Sequence, residues 1–263
     1  MIKLLIFDGG GTIWYSMDVL WEHYKAGFFY LGLTSKLDEF PYSLENCNEL
    51  ASLEKFNSRW NIAKALVALF FTKKDPDKIL SSSDPDSEMT SIVQSCRENP
   101  LTGTRFEKLC AKLGFFLEEA LYNYDESCYP ACKNVPETLR QLHDKGFYLA
   151  LLSNRRISSV EKILCALGIK ELFAKVEAPI LDEPEIKTID PILKFFNVAK
   201  NESIFIGDSA LDINSGKRFG LITVGVLSGM GTVRVLTKAK ADYIISDIQG
   251  LHEIIEKINK GGD

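Results

Sequence analysis

The sequence contains no long hydrophobic run. Its clearest apolar stretch, Ala65 to Phe71, is far shorter than the roughly 20 residues that a membrane-spanning helix needs. The apolar run at the N-terminus is also too short for a signal peptide, and it meets Asp8 at once. These absences predict a cytoplasmic protein that is not embedded in a membrane.

A surplus of basic residues is absent as well. The 31 Lys and Arg residues are outnumbered by 36 Asp and Glu residues, and the net charge is -5. This charge gives no electrostatic reason to expect nucleic acid or an anionic membrane as a partner, although a local basic pocket for a small anion remains compatible with it. With 263 residues, 46% of them hydrophobic, the chain is long enough to bury a sizeable core.

Cysteine and histidine are few and dispersed. The six cysteines include no C-x-x-C pair, which argues against a disulfide scaffold, so we expect unpaired thiols. The three histidines lie far apart and lack the spacing of metal ligands. Neither residue type predicts a metal site here.

What the sequence does contain is an alternation of short apolar segments and amphipathic helices. Fully apolar strands separated by helices indicate a parallel sheet that is covered on both faces. We therefore predict an α/β fold with a Rossmann-like, doubly wound parallel sheet. The predicted strands are the run that ends at Phe7 and the segments Phe147 to Leu152, Ser203 to Ile206, Leu221 to Val226 and Tyr243 to Ile245.

One long segment near the N-terminus has helical periodicity instead. Apolar residues such as Leu20, Tyr24, Phe28 and Leu31 recur there at the spacing of one helix face. The segment contains nothing that is typical of a strand long enough to join a sheet. We predict that residues 16–128 form an inserted all-helical domain and that residues 1–15 and 129–263 form the α/β core.

The first strand ends in Asp8 and is followed by three glycines, Gly9, Gly10 and Gly11. Glycines allow the backbone to turn sharply and to bring several N–H groups close to a ligand. A carboxylate beside such a glycine nest suits phosphoryl chemistry, because the nest binds the anion and the aspartate attacks it. A simple Asp-Gly turn at the end of a strand is the alternative.

Polar residues also follow two later strands. Ser153 and Asn154 follow one of them, and Asp208 and Asp212 follow another. In open α/β sheets the ligand lies outside the carboxyl ends of the strands, so these residues and Asp8 are expected at one edge. The carboxylates would repel one another without a cation between them, and their hard oxygen ligands suit Mg²⁺.

These motifs together resemble the haloacid dehalogenase-like hydrolase superfamily. The resemblance is carried by Asp8-x-Gly10-x-Thr12, by Ser153 after an apolar strand, by a lysine before a helix, and by the segment Gly207 to Asp212. It covers the predicted core in the right order. The helical insertion resembles the C1-type cap domain of the phosphatase-like branch.

The resemblance implies a site and a reaction. Asp8 would be the nucleophile that forms an aspartyl-phosphate, and it would bind Mg²⁺ together with Asp208 and the backbone carbonyl of Gly10. Asp212 would either bind the metal through water or orient the loop. The implied substrate is a small phosphorylated metabolite, while its identity and the oligomeric state stay open.

The resemblance also implies residues that contact the substrate. Ser153 would hydrogen-bond the transferring phosphoryl group, and Lys187 would neutralise its charge. Thr188 stands where the family often has proline after this lysine, and a solvated lysine at a helix start is the alternative for Lys187. Further substrate contacts are assigned to Gly9, Gly10, Thr12 and Asn154.

The sequence departs from the family at Gly10. Phosphatases of this family normally carry a second aspartate there, which protonates the leaving group and later activates water. Loss of general acid–base help typically lowers the rate by about 10²–10⁴-fold. The chain would then be a phosphatase that is slow, uses a substitute acid or takes good leaving groups.

Two other members of the superfamily remain alternatives. One is a phosphonoacetaldehyde hydrolase-like enzyme, for which Lys25, Lys55 or Lys64 would have to form a Schiff base. The other is a non-catalytic phosphate-binding or regulatory protein. A dehalogenase is disfavoured, because dehalogenases lack the metal motif that Asp208 represents.

Overall fold

The computed structural model describes residues 1–56, 58–178 and 189–260. The chain divides into two compact units: Met1–Ser16 together with Asp125–Asp263, and Met17–Tyr124. Within the described residues, no helix combines the length and the apolar character that crossing a membrane requires.

The unit Met17–Tyr124, called the helical unit below, is built from helices that pack around aromatic side chains. The ring of Phe28 makes edge-to-face contacts with Phe40, Tyr42 and Phe70, a geometry that aromatic pairs prefer. The α-helices are α1 (Met17–Tyr30), α2 (Leu44–Ala51), α3 (Arg59–Thr72), α4 (Pro76–Leu80), α5 (Pro85–Glu98) and α6 (Gly103–Tyr122).

The other unit, called the α/β unit below, contains a single parallel sheet among its described residues. The order is β3-β2-β1-β4-β5-β6, and every adjacent pair is parallel. This confirms the predicted Rossmann-like, doubly wound α/β fold. The strands are β1 (Leu4–Asp8), β2 (Tyr148–Leu152), β3 (Lys175–Glu177), β4 (Ser203–Gly207), β5 (Ile222–Val226) and β6 (Tyr243–Ile245).

Helices of the α/β unit alternate with these strands. Between β1 and β4, the core under one face combines Leu4, Ile6 and Phe205 with Ile189 and Ile192. The helices are α7 (Val135–Asp144), α8 (Ile157–Ala166), α9 (Asp190–Phe196), α10 (Ala210–Phe219), α11 (Val233–Lys238) and α12 (Leu251–Asn259).

The sequence-based prediction omitted β3. This strand lies at the edge of the sheet and pairs only with β2 among the described residues. Its three residues begin with Lys175 and end with Glu177, and all of them are partly exposed. Three partly exposed residues that begin and end with charged side chains form no continuous apolar run, so the hydrophobic pattern did not reveal this strand.

Strand β1 lies in the middle of the sheet and is buried along its whole length. Its register pairs Asp8 with Leu152 of β2 and Phe7 with Ile206 of β4. The residues that follow β2 and β4 therefore emerge on either side of Asp8. The order of the strands brings Asp8, Ser153 and Asp208 to the same edge, at the point where the chain winds in opposite directions.

In the helical unit, α3 and α6 approach closely at Gly114. A Cβ atom at this position would overlap the ring of Trp60. We expect Gly114→Ala to lower the free energy of unfolding by about 1–3 kcal/mol, because overpacking forces neighbouring side chains to move. Urea unfolding followed by circular dichroism measures this loss.

The neighbouring Phe115→Ala serves as a control, since Phe115 is largely exposed and its replacement should change stability by only about 0.5 kcal/mol. Equal stability of Gly114→Ala and the native chain would contradict the close packing.

Candidate active site

Three aspartates meet at the carboxyl edge of the sheet. Asp8 is the last residue of β1, Asp208 follows β4, and Asp212 lies in the first turn of α10. One carboxylate oxygen from each lies within 4.8 Å of the others, and the residues expose only 6%, 2% and 1% of their surface. Buried like charges at this separation repel strongly unless a cation or a proton accompanies them.

Glycines make room for Asp208. Oδ2 of Asp208 accepts a hydrogen bond from the backbone N–H of Met230 at 2.8 Å. A Cβ atom at Gly11 or Gly229 would overlap this carboxylate, and one at Gly231 would overlap the backbone oxygen of Asp208. Gly11 also has a φ of +84°, which side chains other than glycine rarely adopt. The loops that follow β1 and β5 can therefore close around Asp208 only with glycine at these positions.

Asp212 is held by the start of its own helix. Its Oδ2 accepts hydrogen bonds from the backbone N–H of Ser209 at 3.0 Å and from Oγ of Ser209 at 2.6 Å. In return, Oγ of Ser209 accepts from the backbone N–H of Asp212 at 3.3 Å, which completes a capping box. A side chain at Gly207 would overlap Asp212. This arrangement fixes the orientation of Asp212 at the edge of the cluster.

The loop after β1 forms a tight turn. The backbone N–H groups of Ile13 and Trp14 both donate to the carbonyl oxygen of Gly9, at 2.8 and 3.2 Å. Oγ of Ser228 donates to the carbonyl oxygen of Gly11 at 2.7 Å, which ties this turn to the loop after β5. Thr12 is fully buried, and its Oγ1 has no hydrogen-bond partner among the residues that the structure describes.

The predicted substrate residues outside this loop differ in their surroundings. Ser153 follows β2, is buried, and accepts a hydrogen bond on Oγ from the backbone N–H of Arg155 at 3.2 Å. Asn154 is exposed. Lys187 lies outside the described residues. The register of β1 and β2 places Ser153 next to Asp8 along the sheet edge.

No sequence pattern predicted that the loop of Ser228, Gly229, Met230 and Gly231 contributes to this site. The available signal was its two glycines shortly after β5 ends at Val226, since the carboxyl end of this strand lies on the same edge. Arg155 was also missed. Its Nη2 donates to the hydroxyl of Tyr129 at 3.0 Å, and its guanidinium lies 4.5 Å from the centre of that ring.

Gly10, the position of the absent second aspartate, has two polar neighbours. A Cβ atom at Gly10 would lie 3.0 Å from Oγ of Ser16 and 3.7 Å from Nε1 of Trp14. Trp14 is fully buried. Within the described part of the chain, its Nε1 has no hydrogen-bond partner. The space beside Gly10 is therefore bordered by a hydroxyl and by an unsatisfied indole N–H.

The cap of α10 gives a test of the local architecture. We expect Ser209→Ala to lower the free energy of unfolding by about 1 kcal/mol, because it removes an N-cap and the hydroxyl that binds Asp212. Ser209→Thr keeps both hydrogen-bonding functions and should stay close to the native value. Denaturant titration of the two variants would disprove this role if both had equal stability.

Comparisons with known proteins agree with this architecture. Residues 77–226 match the sequence model of the family described as haloacid dehalogenase-like hydrolase. A phosphoglycolate phosphatase from Haemophilus influenzae is 28% identical over 159 residues, which cover 59% of this chain and 69% of the relative. Pyrophosphatase PpaX from Listeria welshimeri is 25% identical over 229 residues, or 85% of this chain and 96% of the relative.

A solved structure extends the similarity to almost the whole chain. The crystal structure of a predicted phosphoglycolate phosphatase from Haemophilus somnus superimposes with a TM-score of 0.61 at 23% identity, and it covers 97% of this chain and 98% of that one. At this identity the likeness shows the fold alone. The family match spans more than half of the chain, and the sheet, its order and the clustered aspartates are consistent with it. The chain belongs to the haloacid dehalogenase-like hydrolase family.

Proposed function

We propose that this chain is a Mg²⁺-dependent phosphatase that acts on a small phosphorylated metabolite through an aspartyl-phosphate at Asp8. The observation that carries the proposal is the buried cluster of Asp8, Asp208 and Asp212 at the carboxyl edge of the sheet. The names of its relatives, phosphoglycolate phosphatase and pyrophosphatase, support hydrolysis of a phosphate compound.

The residues present fit a magnesium ion. Mg²⁺ prefers hard oxygen ligands and is usually bound by one or two carboxylates together with substrate phosphate and water. Asp8, Asp208 and the backbone carbonyl of Gly10 would hold it, with Asp212 at its periphery. The bound ion would supply positive charge against the phosphoryl oxygens and the neighbouring carboxylates.

The side chains then account for two successive displacements. An oxygen of Asp8 attacks phosphorus and forms a new O–P bond. The bond between phosphorus and the leaving oxygen breaks, and its electron pair stays on that oxygen. Water next attacks the phosphorus of the aspartyl-phosphate, which releases inorganic phosphate and restores the carboxylate. The N–H groups of the glycine turn, the hydroxyl of Ser153 and the proposed Lys187 would stabilise the charge on the transferring group.

The helical unit, Met17–Tyr124, is proposed to act as the cap that selects the substrate and limits the access of water. Partners other than a small phosphorylated molecule are not proposed, since the net charge of -5 gives no attraction for nucleic acid. We also propose a cytoplasmic location.

Gly10 supports one second candidate, a phosphate-binding protein that has lost catalysis. A glycine can neither protonate a leaving group nor activate water, so the metal and phosphate sites would remain while turnover disappears. The phosphonatase-like alternative has less support. Nζ of Lys25 pairs with Oε1 of Glu22 at 3.1 Å, and this contact occupies the amine that a Schiff base would need.

Asp8→Asn tests the proposed nucleophile. With an aryl phosphate and Mg²⁺, we expect the native chain to turn over and Asp8→Asn to lose activity by about 10³-fold or more, since an amide cannot replace the attacking carboxylate. Release of inorganic phosphate is the measurement, with and without Mg²⁺. Asp144→Asn is the matched control, because this carboxylate is 81% exposed in the same unit.

Turnover that survives in Asp8→Asn would contradict the aspartyl-phosphate. Absence of turnover for every phosphate tested, with phosphate still bound in the presence of Mg²⁺, would favour the phosphate-binding candidate.

Gly10→Asp tests the meaning of the missing acid. A Cβ atom fits at Gly10 once Ser16 gives way by a few tenths of an ångström, so the carboxylate can be introduced. We expect the rate with alkyl phosphates to rise by about 10²-fold or more, and the rate with aryl phosphates to rise less, because poor leaving groups depend most on a general acid.

Gly10→Asn is the control, since it adds the same shape without a transferable proton. Equal rates for the two variants with alkyl phosphates would show that the carboxyl group does not act as the acid.

A further inference from the structure

The indole of Trp14 fills the space that a side chain at Gly9, next to Asp8, would otherwise occupy. A Cβ atom at Gly9 would overlap the six-membered ring of Trp14. The backbone of Trp14 is fixed in turn, because it forms β-bridges with Gly10 and Ala131. The indole can therefore lie here only because position 9 is glycine, so Gly9, Gly10 and Trp14 form one packed set.

This set contains an unsatisfied donor. Nε1 of Trp14 is buried without a hydrogen-bond partner among the described residues, and an indole nitrogen can only donate. A buried donor without a partner is rare in native proteins and calls for an explanation such as a water, an ion or a ligand. The nitrogen lies 3.7 Å from the point where a side chain at position 10 would begin, and Oγ of Ser16 lies 3.0 Å from the same point.

We propose that the N–H of Trp14 and the hydroxyl of Ser16 bind the leaving-group oxygen of the substrate in the space of the absent second aspartate. This inference rests on the proposed phosphatase function. An aspartate at position 10 would protonate the leaving-group oxygen. Hydrogen-bond donors that border the same space can therefore bind that oxygen. Because Nε1 is buried, a neighbouring side chain would have to move for the oxygen to reach it.

These donors differ from a carboxylic acid in what they can do. Neither an indole nor a serine gives up its proton near neutral pH, so both stabilise the leaving oxygen by hydrogen bonds alone. The O–P bond breaks, its electron pair stays on the leaving oxygen, and the anion departs and takes its proton from water. Such a site favours leaving groups that are stable as anions, namely phosphoanhydrides, acyl phosphates and aryl phosphates, over alkyl phosphates.

The test compares kcat/KM across aryl phosphates whose leaving phenols have increasing pKa. Trp14→Phe keeps an aromatic ring and removes the N–H, so we expect it to lose about 10- to 100-fold with the poorest leaving groups and much less with the best. Ser16→Ala should likewise make kcat/KM fall more steeply as the pKa of the leaving phenol rises. Trp21→Phe is the control, since its indole N–H donates to the carbonyl oxygen of Tyr42 in the helical unit.

A uniform loss across the series would overturn the inference, because a merely structural role of Trp14 lowers every rate by the same factor. If plots of log kcat/KM against the pKa of the leaving phenol have the same slope for the native chain and Trp14→Phe, while turnover still depends on Asp8, the inference is refuted but the proposed function is not. Absence of any Asp8-dependent turnover would refute the proposed function and the inference with it.

A binding measurement keeps the test independent of the folding of Trp14→Phe. In Asp8→Asn with Mg²⁺ and phenyl phosphate, we expect the indole N–H resonance of Trp14 to move downfield as it gains an acceptor. The resonance is assigned by elimination with Trp21→Phe and Trp60→Phe. An unchanged resonance while phenyl phosphate binds would overturn the inference.

Discussion

Mutual repulsion of three buried carboxylates is the constraint on which the rest of the α/β unit depends. Oxygens of Asp8, Asp208 and Asp212 lie within 4.8 Å of one another. At an effective dielectric constant of about 20, each ionised pair at such a distance costs about 3–4 kcal/mol. The fold brings them together because β1, which ends in Asp8, pairs directly with β4, which Asp208 and Asp212 follow. The parallel strands then hold the cluster in place, and a cation bound between the carboxylates would offset their repulsion.

The surrounding loops are shaped by the same cluster. Side chains at Gly11 and Gly229 would overlap the carboxylate of Asp208, and a side chain at Gly207 would overlap Asp212. Glycine in a loop loses more conformational freedom on folding than any other residue, so this arrangement lowers stability. In exchange, backbone N–H groups reach the acidic site, as that of Met230 does for Asp208. The local chemistry thus depends on positions where a side chain is absent.

The sequence predicted the parts of this site that have local signals. An apolar run that stops at a polar residue predicted Asp8 and Asp208, and the parallel order of strands predicted their meeting. Strand β3 escaped because Lys175 and Glu177 leave no apolar run. The contribution of Met230 escaped for another reason: its functional group is a backbone N–H, which every residue except proline carries. The place of Trp14 depends on packing between residues 9 and 14, which no periodic pattern encodes.

Gly10 belongs to a packed group with Gly9 and Trp14, so its lack of a carboxylate is not an isolated change. Simple loss of a carboxylate from a phosphatase would leave the neighbouring positions free to carry ordinary side chains. Here Gly9 must also remain small, since the ring of Trp14 fills the space beside it, and Trp14 brings an unsatisfied N–H to the border of the vacated position. A buried donor without a partner destabilises the folded chain, so packing alone does not account for an indole at this position. A substrate oxygen that accepts a hydrogen bond from this N–H would remove that cost. This favours a site that binds the leaving oxygen over one that has simply lost its catalytic acid.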